Sequence, residues 1–393
     1  MPEDFPRLKS ILRWRQTDTT PAERVTAVET FFDVVFVFTL TQLTRTLGED
    51  LSLPGIGRTL LVFGPLWYMY GGYAWLTNHV PPRRPSQKLI LFGAMAGFFI
   101  AAMGIPHAFG GTGVLFGAGY LAVICLHLLL FTQADALEGV LRLAPYNIGG
   151  GLLILAAGFM QGTTVYLLWV AGYLLMTVVP YLVPRYSWVG APSAFHISAE
   201  HFVERHGLLV MIALGESVIA IGMGLDVEHV TAATAGLIVL ALALPGAIWW
   251  TYFTDYAVAE RTLAGAETGS RSLLAVRAYY FAHIPMLLGI VAAATGIHAA
   301  IAHPGDPSEW PVATALAGGV ALFLAGIAFF RRSMGIGASW TRLAAAAVVL
   351  GSIPLGTMVS AGLHLVSVLG IVVVMLLADR GAVKSEVPPI VSG

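Results

Sequence analysis

Residues Val28 to Leu43 read V-E-T-F-F-D-V-V-F-V-F-T-L-T-Q-L. The run is apolar enough to enter a bilayer, yet it carries Glu29 and Asp33 at i, i+4, which is one face of a helix. A second run, Val203 to Gly222 (V-E-R-H-G-L-L-V-M-I-A-L-G-E-S-V-I-A-I-G), opens with the same Val-Glu pair and sets Glu216 deep among apolar residues. An acid near the middle of a membrane helix costs about 2.5–3.5 kcal/mol. Such a residue faces the interior of a bundle and is a functional hypothesis by default.

Composition sets the class. Of 393 residues, 57% are hydrophobic and 11% charged, and mean hydropathy is +0.79. Soluble domains carry about 25% charged residues, so an all-α polytopic membrane protein is expected. A net charge of −1 argues against a nucleic-acid partner. The single cysteine, Cys125, lies in an apolar run; a small buried hydrophobe is its expected role. No cleavable signal peptide is expected, because the apolar run after the polar, basic residues 1–24 is long enough to span.

Apolar runs of spanning length fall at 25–45, 57–78, 88–108, 112–134, 144–162, 163–184, 201–224, 231–256, 274–300, 311–330, 339–360 and 361–379. About twelve transmembrane helices are therefore expected, with the turns at 160–164 and 358–364 the least defined. Basic residues test the count. With both termini cytoplasmic, all of the 21 Lys and Arg except Arg45 and Arg58 fall on inside segments. The expected order is a cytoplasmic segment 1–24, a six-helix repeat 25–184, a cytoplasmic linker 185–200, a second six-helix repeat 201–379, and a cytoplasmic tail 380–393. A multi-pass membrane location with both ends in the cytoplasm is expected.

The halves echo each other. Val28-Glu29 matches Val203-Glu204, Trp75-Leu76-Thr77-Asn78 resembles Tyr252-Phe253-Thr254-Asp255, and Gly104-Ile105 resembles Gly296-Ile297. Six spans per half is even, so the repeats are parallel and the first and seventh spans are equivalent. Gly93-x-x-x-Gly97 and Gly113-x-x-x-Gly117 suit either internal packing or a homodimer.

Asp33 and Glu216 are the deepest acids and read as cation or proton sites. Gly215 beside Glu216 suggests a close backbone approach, and Ser217 adds a hydroxyl. Glu29 has a second reading, since Thr26-x-x-Glu29 is itself a capping box; the box at Thr20-Pro21-Ala22-Glu23 is the stronger helix start. Gln42, with Thr39 and Thr41, lies at a depth comparable to Glu216, although membrane threonines commonly bond their own backbone. Before the second run, His196, Glu200, His201, Glu204, Arg205 and His206 crowd together. Glu200, His201 and Glu204 on one face suit acid/base or metal chemistry, or else structural ion pairs at a helix start. His127, His283 and His364 lie inside spans and read as packing residues or proton relays. The aromatic runs Trp67 to Trp75 and Trp249 to Tyr256 read as interfacial belts. Asn78 and Asp255 close them, Asp255 with a solvated role open to it. No H-E-x-x-H, P-loop, dinucleotide fingerprint or nucleophile elbow is present in the sequence. No catalytic residue, metal site or cofactor is expected.

Glu29-Thr-Phe-Phe-Asp33 through Thr41-Gln42-Leu43, and His201-Phe-Val-Glu204-Arg205-His-Gly207 through Leu214-Gly215-Glu216-Ser217, resemble the two signatures of the bacterial low temperature requirement A (LtrA) family. The resemblance extends over nearly the whole chain. It implies a polytopic bacterial membrane protein and supports Glu29, Asp33, Gln42, His201, Glu204, Arg205, Gly215 and Glu216 as positions to test. The family is named for a cold-growth phenotype, which carries no reaction or solute. His206 departs from its pattern, which more often has Phe there. The leading expectation is a transporter or ion/proton permeation pathway in the lipid bilayer, acting on a small solute, cation or proton. The alternatives are an integral membrane enzyme for a lipidic or small apolar substrate, and a non-catalytic sensor or stress-adaptation factor.

Overall fold

The computed structural model describes residues 24–132, 137–182, 197–223 and 232–385, with side chains described outside 137–142, 181, 232–234 and 380–385. The Thr20 capping box, His196, the side chain of Arg142, most of the linker and the end of the tail lie outside the described residues. All regular structure among the described residues is helical.

Helix α1 spans Ala27–Glu49. It begins where the Glu29 carboxylate turns back to accept the Thr26 backbone N–H at 2.9 Å, one arm of a capping box. Helix α2, Leu53–His79, runs through Pro65. Helix α3, Pro85–Gly104, starts with Pro at its first position and Gln87 reaching back to the Arg84 N–H. Then come α4 (Gly113–Phe131), α5 (Leu137–Ala157) and α6 (Thr163–Thr177). Gly162, at φ +65°, takes the left-handed conformation that turns the chain into α6.

Helix α7 is Ala199–Met223 and α8 is Ala232–Phe253. The short α9 (Tyr256–Gly265) and α10 (Thr268–Ala275) follow, and then a π-helical stretch, Val276–Phe281. Then follow α11 (His283–Ala302), α12 (Trp310–Met334), α13 (Trp340–Gly351) and α14 (Ala361–Ser385), and short helical segments stand at Val179–Leu182 and Ile353–Met358.

Each of the twelve apolar runs holds a helix. Nine helical segments among the described residues are long and apolar enough to cross a bilayer: 27–49, 85–107, 113–131, 199–223, 235–265, 268–302, 310–334, 340–358 and 361–379. The apolar parts of α5 and α6, Leu143–Ala157 and Thr163–Thr177, are shorter, and the Tyr, Trp and Pro of α2 keep it out of the nine. The chain is a multi-pass integral membrane protein.

The helices pack as two units. Of the described residues, the first takes in those up to Thr46, those from Leu53 to Leu209, and Glu260–Ala275; the second takes in Leu47–Ser52, those from Val210 to Ala259, and those from Val276 onward. The division therefore falls inside α7.

Within the first unit, α3 and α4 meet backbone to backbone. A Cβ on Gly119 would lie 2.7 Å from the Gly97 carbonyl oxygen and 2.6 Å from the Ala101 nitrogen, and one on Gly104 would lie 2.6 Å from the Phe116 nitrogen. Gly117 is pressed against Leu155 of α5, and Gly93 against Leu126 of α4. Both glycine motifs singled out in the sequence thus serve packing inside the chain. In the second unit α11 and α12 repeat the arrangement. Gly319 sits against the Gly289 carbonyl and Ala293, and Gly296 against Leu316.

Two expectations are corrected here. Trp67, Tyr70 and Tyr73 are buried, packed with Phe32, Phe36 and Phe98; they form a core and not an interfacial belt. Trp249 and Trp250 are exposed, as a belt requires. Cys125 is exposed as well. Helix α4 is apolar on every side, so its sequence carries no periodic signal to say which face turns inward.

Candidate buried charge cluster

Two pairs of residues at four-residue spacing face each other. Glu29 and Asp33 project from α1, and His201 and Arg205 from α7; all four are fully buried. Arg205 bridges both acids, Nη1 donating to Glu29 Oε1 at 3.2 Å and Nη2 to Asp33 Oδ1 at 3.2 Å. Nη1 also bonds the Thr77 hydroxyl of α2. Planar guanidinium geometry suits one side chain to two carboxylates in this way. The rings of Phe32 and Tyr70 lie 5.4 and 5.7 Å from the guanidinium carbon, within cation–π range.

The histidine is set by a chain of donors. Ser198 N–H donates to Asn78 Oδ1 at 3.0 Å, which identifies the other end of that amide as its NH2. Asn78 Nδ2 donates to the Ser198 carbonyl and also to His201 Nδ1, at 3.0 Å. His201 Nδ1 is therefore an acceptor, the proton is on Nε2, and Nε2–H donates to Glu29 Oε1 at 3.0 Å. The ring is neutral in this arrangement.

The two acids are treated differently. Glu29 accepts four bonds, since Oε2 also takes the Thr26 N–H and hydroxyl at 2.9 and 2.7 Å. Asp33 Oδ1 accepts from Arg205 and, at 3.0 Å, from the Tyr70 hydroxyl. Asp33 Oδ2 is buried without a hydrogen-bond partner.

The other sequence candidates sit elsewhere. Glu204 accepts the Val25 backbone N–H at 3.0 Å, and Glu200 makes an exposed contact with Arg24 at 3.6 Å. With His201 turned to Glu29, the expected Glu200/His201/Glu204 face does not converge. His206 donates to the Phe202 carbonyl at 2.8 Å and packs on the Phe202 ring. Gln42 is about 13 Å along α1 from Asp33 and on the opposite side of that helix. Thr39 and Thr41 bond their own backbone.

Glu216 and Ser217 are buried about three turns beyond Arg205 on α7. The close approach expected at Gly215 is absent: a Cβ there would meet nothing within 4 Å. His127 is buried against Gly72, Tyr73 and Phe131, with neither ring nitrogen bonded. His364 is buried against Gly356.

In the second unit Asp255 is not solvated. It is buried and takes two bonds from Arg331 Nη1, at 2.7 and 2.8 Å; nearby Arg342 pairs with Asp379. His283 is hydrogen-bonded at both nitrogens, accepting from the Tyr252 hydroxyl at 3.0 Å and donating to the Ala278 carbonyl at 2.9 Å. That carbonyl belongs to the π-helical stretch, where Ala282 N–H reaches back five residues to Arg277. His283 thus stabilises a register change, a bonded packing role.

Residues 24–378 match the family described as Bacterial low temperature requirement A protein (LtrA). The chain belongs to the LtrA family. Among the relatives of this LtrA protein is an uncharacterized protein of Rhizobium meliloti (strain 1021). It is 28% identical over 331 residues, covering 81% of this chain and 80% of the relative. No solved structure matches the chain. Tyr70 and Thr77 of the LtrA cluster escaped the sequence reading, and so did the pairing of His201 with Arg205. The last had a signal, because i, i+4 spacing on α7 mirrors Glu29 and Asp33 on α1.

Proposed function

We propose that this LtrA protein is a transporter or permeation pathway that binds a cation or proton inside the bilayer. The observation that carries the reading is the cluster itself. Two carboxylates and one guanidinium are held out of water within the first turns of two spans, with one carboxylate oxygen unpaired. A purely structural pair would be expected to satisfy every polar atom at such depth.

The proposal includes two parallel six-helix repeats, twelve spans and both termini on the cytoplasmic side of the inner membrane. Equivalent glycine contacts in α3/α4 and α11/α12 support the repeat. Gly97, Ala101 and Gly104 correspond to Gly289, Ala293 and Gly296, and Phe116 and Gly119 to Leu316 and Gly319. Glu216, with Ser217, is the proposed deep acid of the second half. No observation favours the enzyme reading, because the face it requires is not assembled.

The test is proton and cation flux into proteoliposomes under an imposed gradient. Wild-type flux that is lost in folded Asp33→Asn supports the reading. Wild-type protein that passes neither protons, sodium nor potassium above empty vesicles overturns it.

A further inference from the structure

We infer that Asp33 Oδ2 is a proton-binding position and not a metal-cation site, with Glu29 the ionised partner that holds Arg205 in place. This rests on reading the cluster as the transport site and names the ion it takes.

The groups facing Asp33 are Glu29 on its own helix, Tyr70 on α2 and Arg205 on α7, with His201 one turn before Arg205. Glu29 already accepts from four donors, about the capacity of a carboxylate. A proton on Glu29 would have to expel one of them. His201 adds no charge, because Asn78 donates to its Nδ1. The ionised cluster therefore holds two negative charges against one positive, a net −1 inside the membrane.

A proton relieves this at one place only. Adding H⁺ to Asp33 Oδ2 forms one O–H bond and a neutral acid, while Tyr70 and Arg205 keep their bonds to Oδ1. A buried neutral hydroxyl is far less costly than a buried unpaired charge. A metal ion fits poorly. Hard cations gather several oxygen ligands; calcium, for example, takes about 6–8. Tyr70 and Arg205 present hydrogens to this carboxylate, the Glu29 oxygens are taken, and the guanidinium sits on the same carboxylate.

The experiment is pH-difference infrared spectroscopy of the full chain in lipid, reading the C=O band of a protonated carboxylic acid. A titrating band is expected in wild type. It should shift when aspartate carboxyls carry ¹³C, disappear in Asp33→Asn, and remain unchanged when sodium or potassium is added at fixed pH. The isotope assigns the band to aspartate without any substitution, should Asp33→Asn fold poorly. The ¹⁵N spectrum of His201 should show the Nε2–H tautomer that its bonds to Asn78 and Glu29 require. A band that is absent, that survives Asp33→Asn, or that either salt discharges would overturn the inference, as would an Nδ1–H tautomer of His201. Neither readout depends on flux, so a titrating Asp33 in a protein that transports nothing would uphold the proton site and sink the transport reading.

Discussion

Glu29 and Asp33 are one helical turn apart on α1 and differ in what their oxygens touch. Every bond to Glu29 comes from a donor, so Glu29→Gln would turn an NH2 group towards other N–H or O–H groups and remove one of the two counter-charges of Arg205. Breaking one partner out of a buried ion pair costs about 3–5 kcal/mol. Asp33→Asn keeps an amide oxygen where Oδ1 accepts from Tyr70 and Arg205, and its cost should stay below about 2 kcal/mol. Thermal unfolding in detergent should therefore rank the variants wild type, then Asp33→Asn, then Glu29→Gln; the reverse order would contradict the bonding described. The i, i+4 spacing of the two acids was readable in the sequence, since helix geometry alone puts them on one face. Which of the aromatic residues on α2 would offer a hydroxyl was not, because Tyr68, Tyr70 and Tyr73 are alike in composition and differ only in where the helix turns them. Tyr68 bonds Asn147, Tyr70 bonds Asp33, and Tyr73 bonds the Val123 carbonyl.

At the scale of helices, the α3/α4 and α11/α12 pairs depend on absent side chains. Gly119→Ala brings a methyl group to 2.7 Å from the Gly97 carbonyl oxygen, so the helices must separate. Gly319→Ala does the same against Gly289 and Ala293. Each should cost about 1–3 kcal/mol through overpacking, whereas Gly215→Ala, with open space around it, should be neutral or mildly stabilising. Melting temperatures of the three variants check this, and equal losses at all three would contradict it. Glycine content signalled close helix packing, yet the sequence alone could not distinguish Gly215 from Gly119. That choice depends on a neighbour distant along the chain. The π-helical stretch before α11 left no apolar period to read either; the register change is visible only in the folded chain, in the bond from Ala282 N–H to the Arg277 carbonyl and the one from His283 to Ala278.

For the whole molecule, the proposed topology can be read by labelling with a membrane-impermeant maleimide. In a Cys125→Ala background, Gly111→Cys and Gln161→Cys should react from one side of the membrane and Arg83→Cys from the other. Reaction of Gln161→Cys from the Arg83 side would remove α5 as a span and break the twelve-helix count. The test matters most there, because the apolar parts of α5 and α6 are the shortest of the chain's candidate spans. Hydropathy located twelve apolar runs, each of which holds a helix, since water and lipid sort a chain by local polarity.

The amino-acid sequence by itself determined that this is a helical membrane protein of the LtrA family, where its helices fall, and that Glu29 and Asp33 share a face. These follow from transfer free energy and from the 3.6-residue turn, both local properties. The tertiary structure decided the rest. It brought His201 and Arg205, 172 and 176 positions away from Glu29 along the chain, against the two acids. It also turned Glu204 to Val25 and paired Asp255 with Arg331. Hydrogen bonding decides between neighbours that differ by an ångström, and only the folded packing of α1, α2 and α7 fixes distances that fine. The same packing supplied the two donors to Glu29 that Thr26 does not, His201 and Arg205, and left one oxygen of Asp33 open.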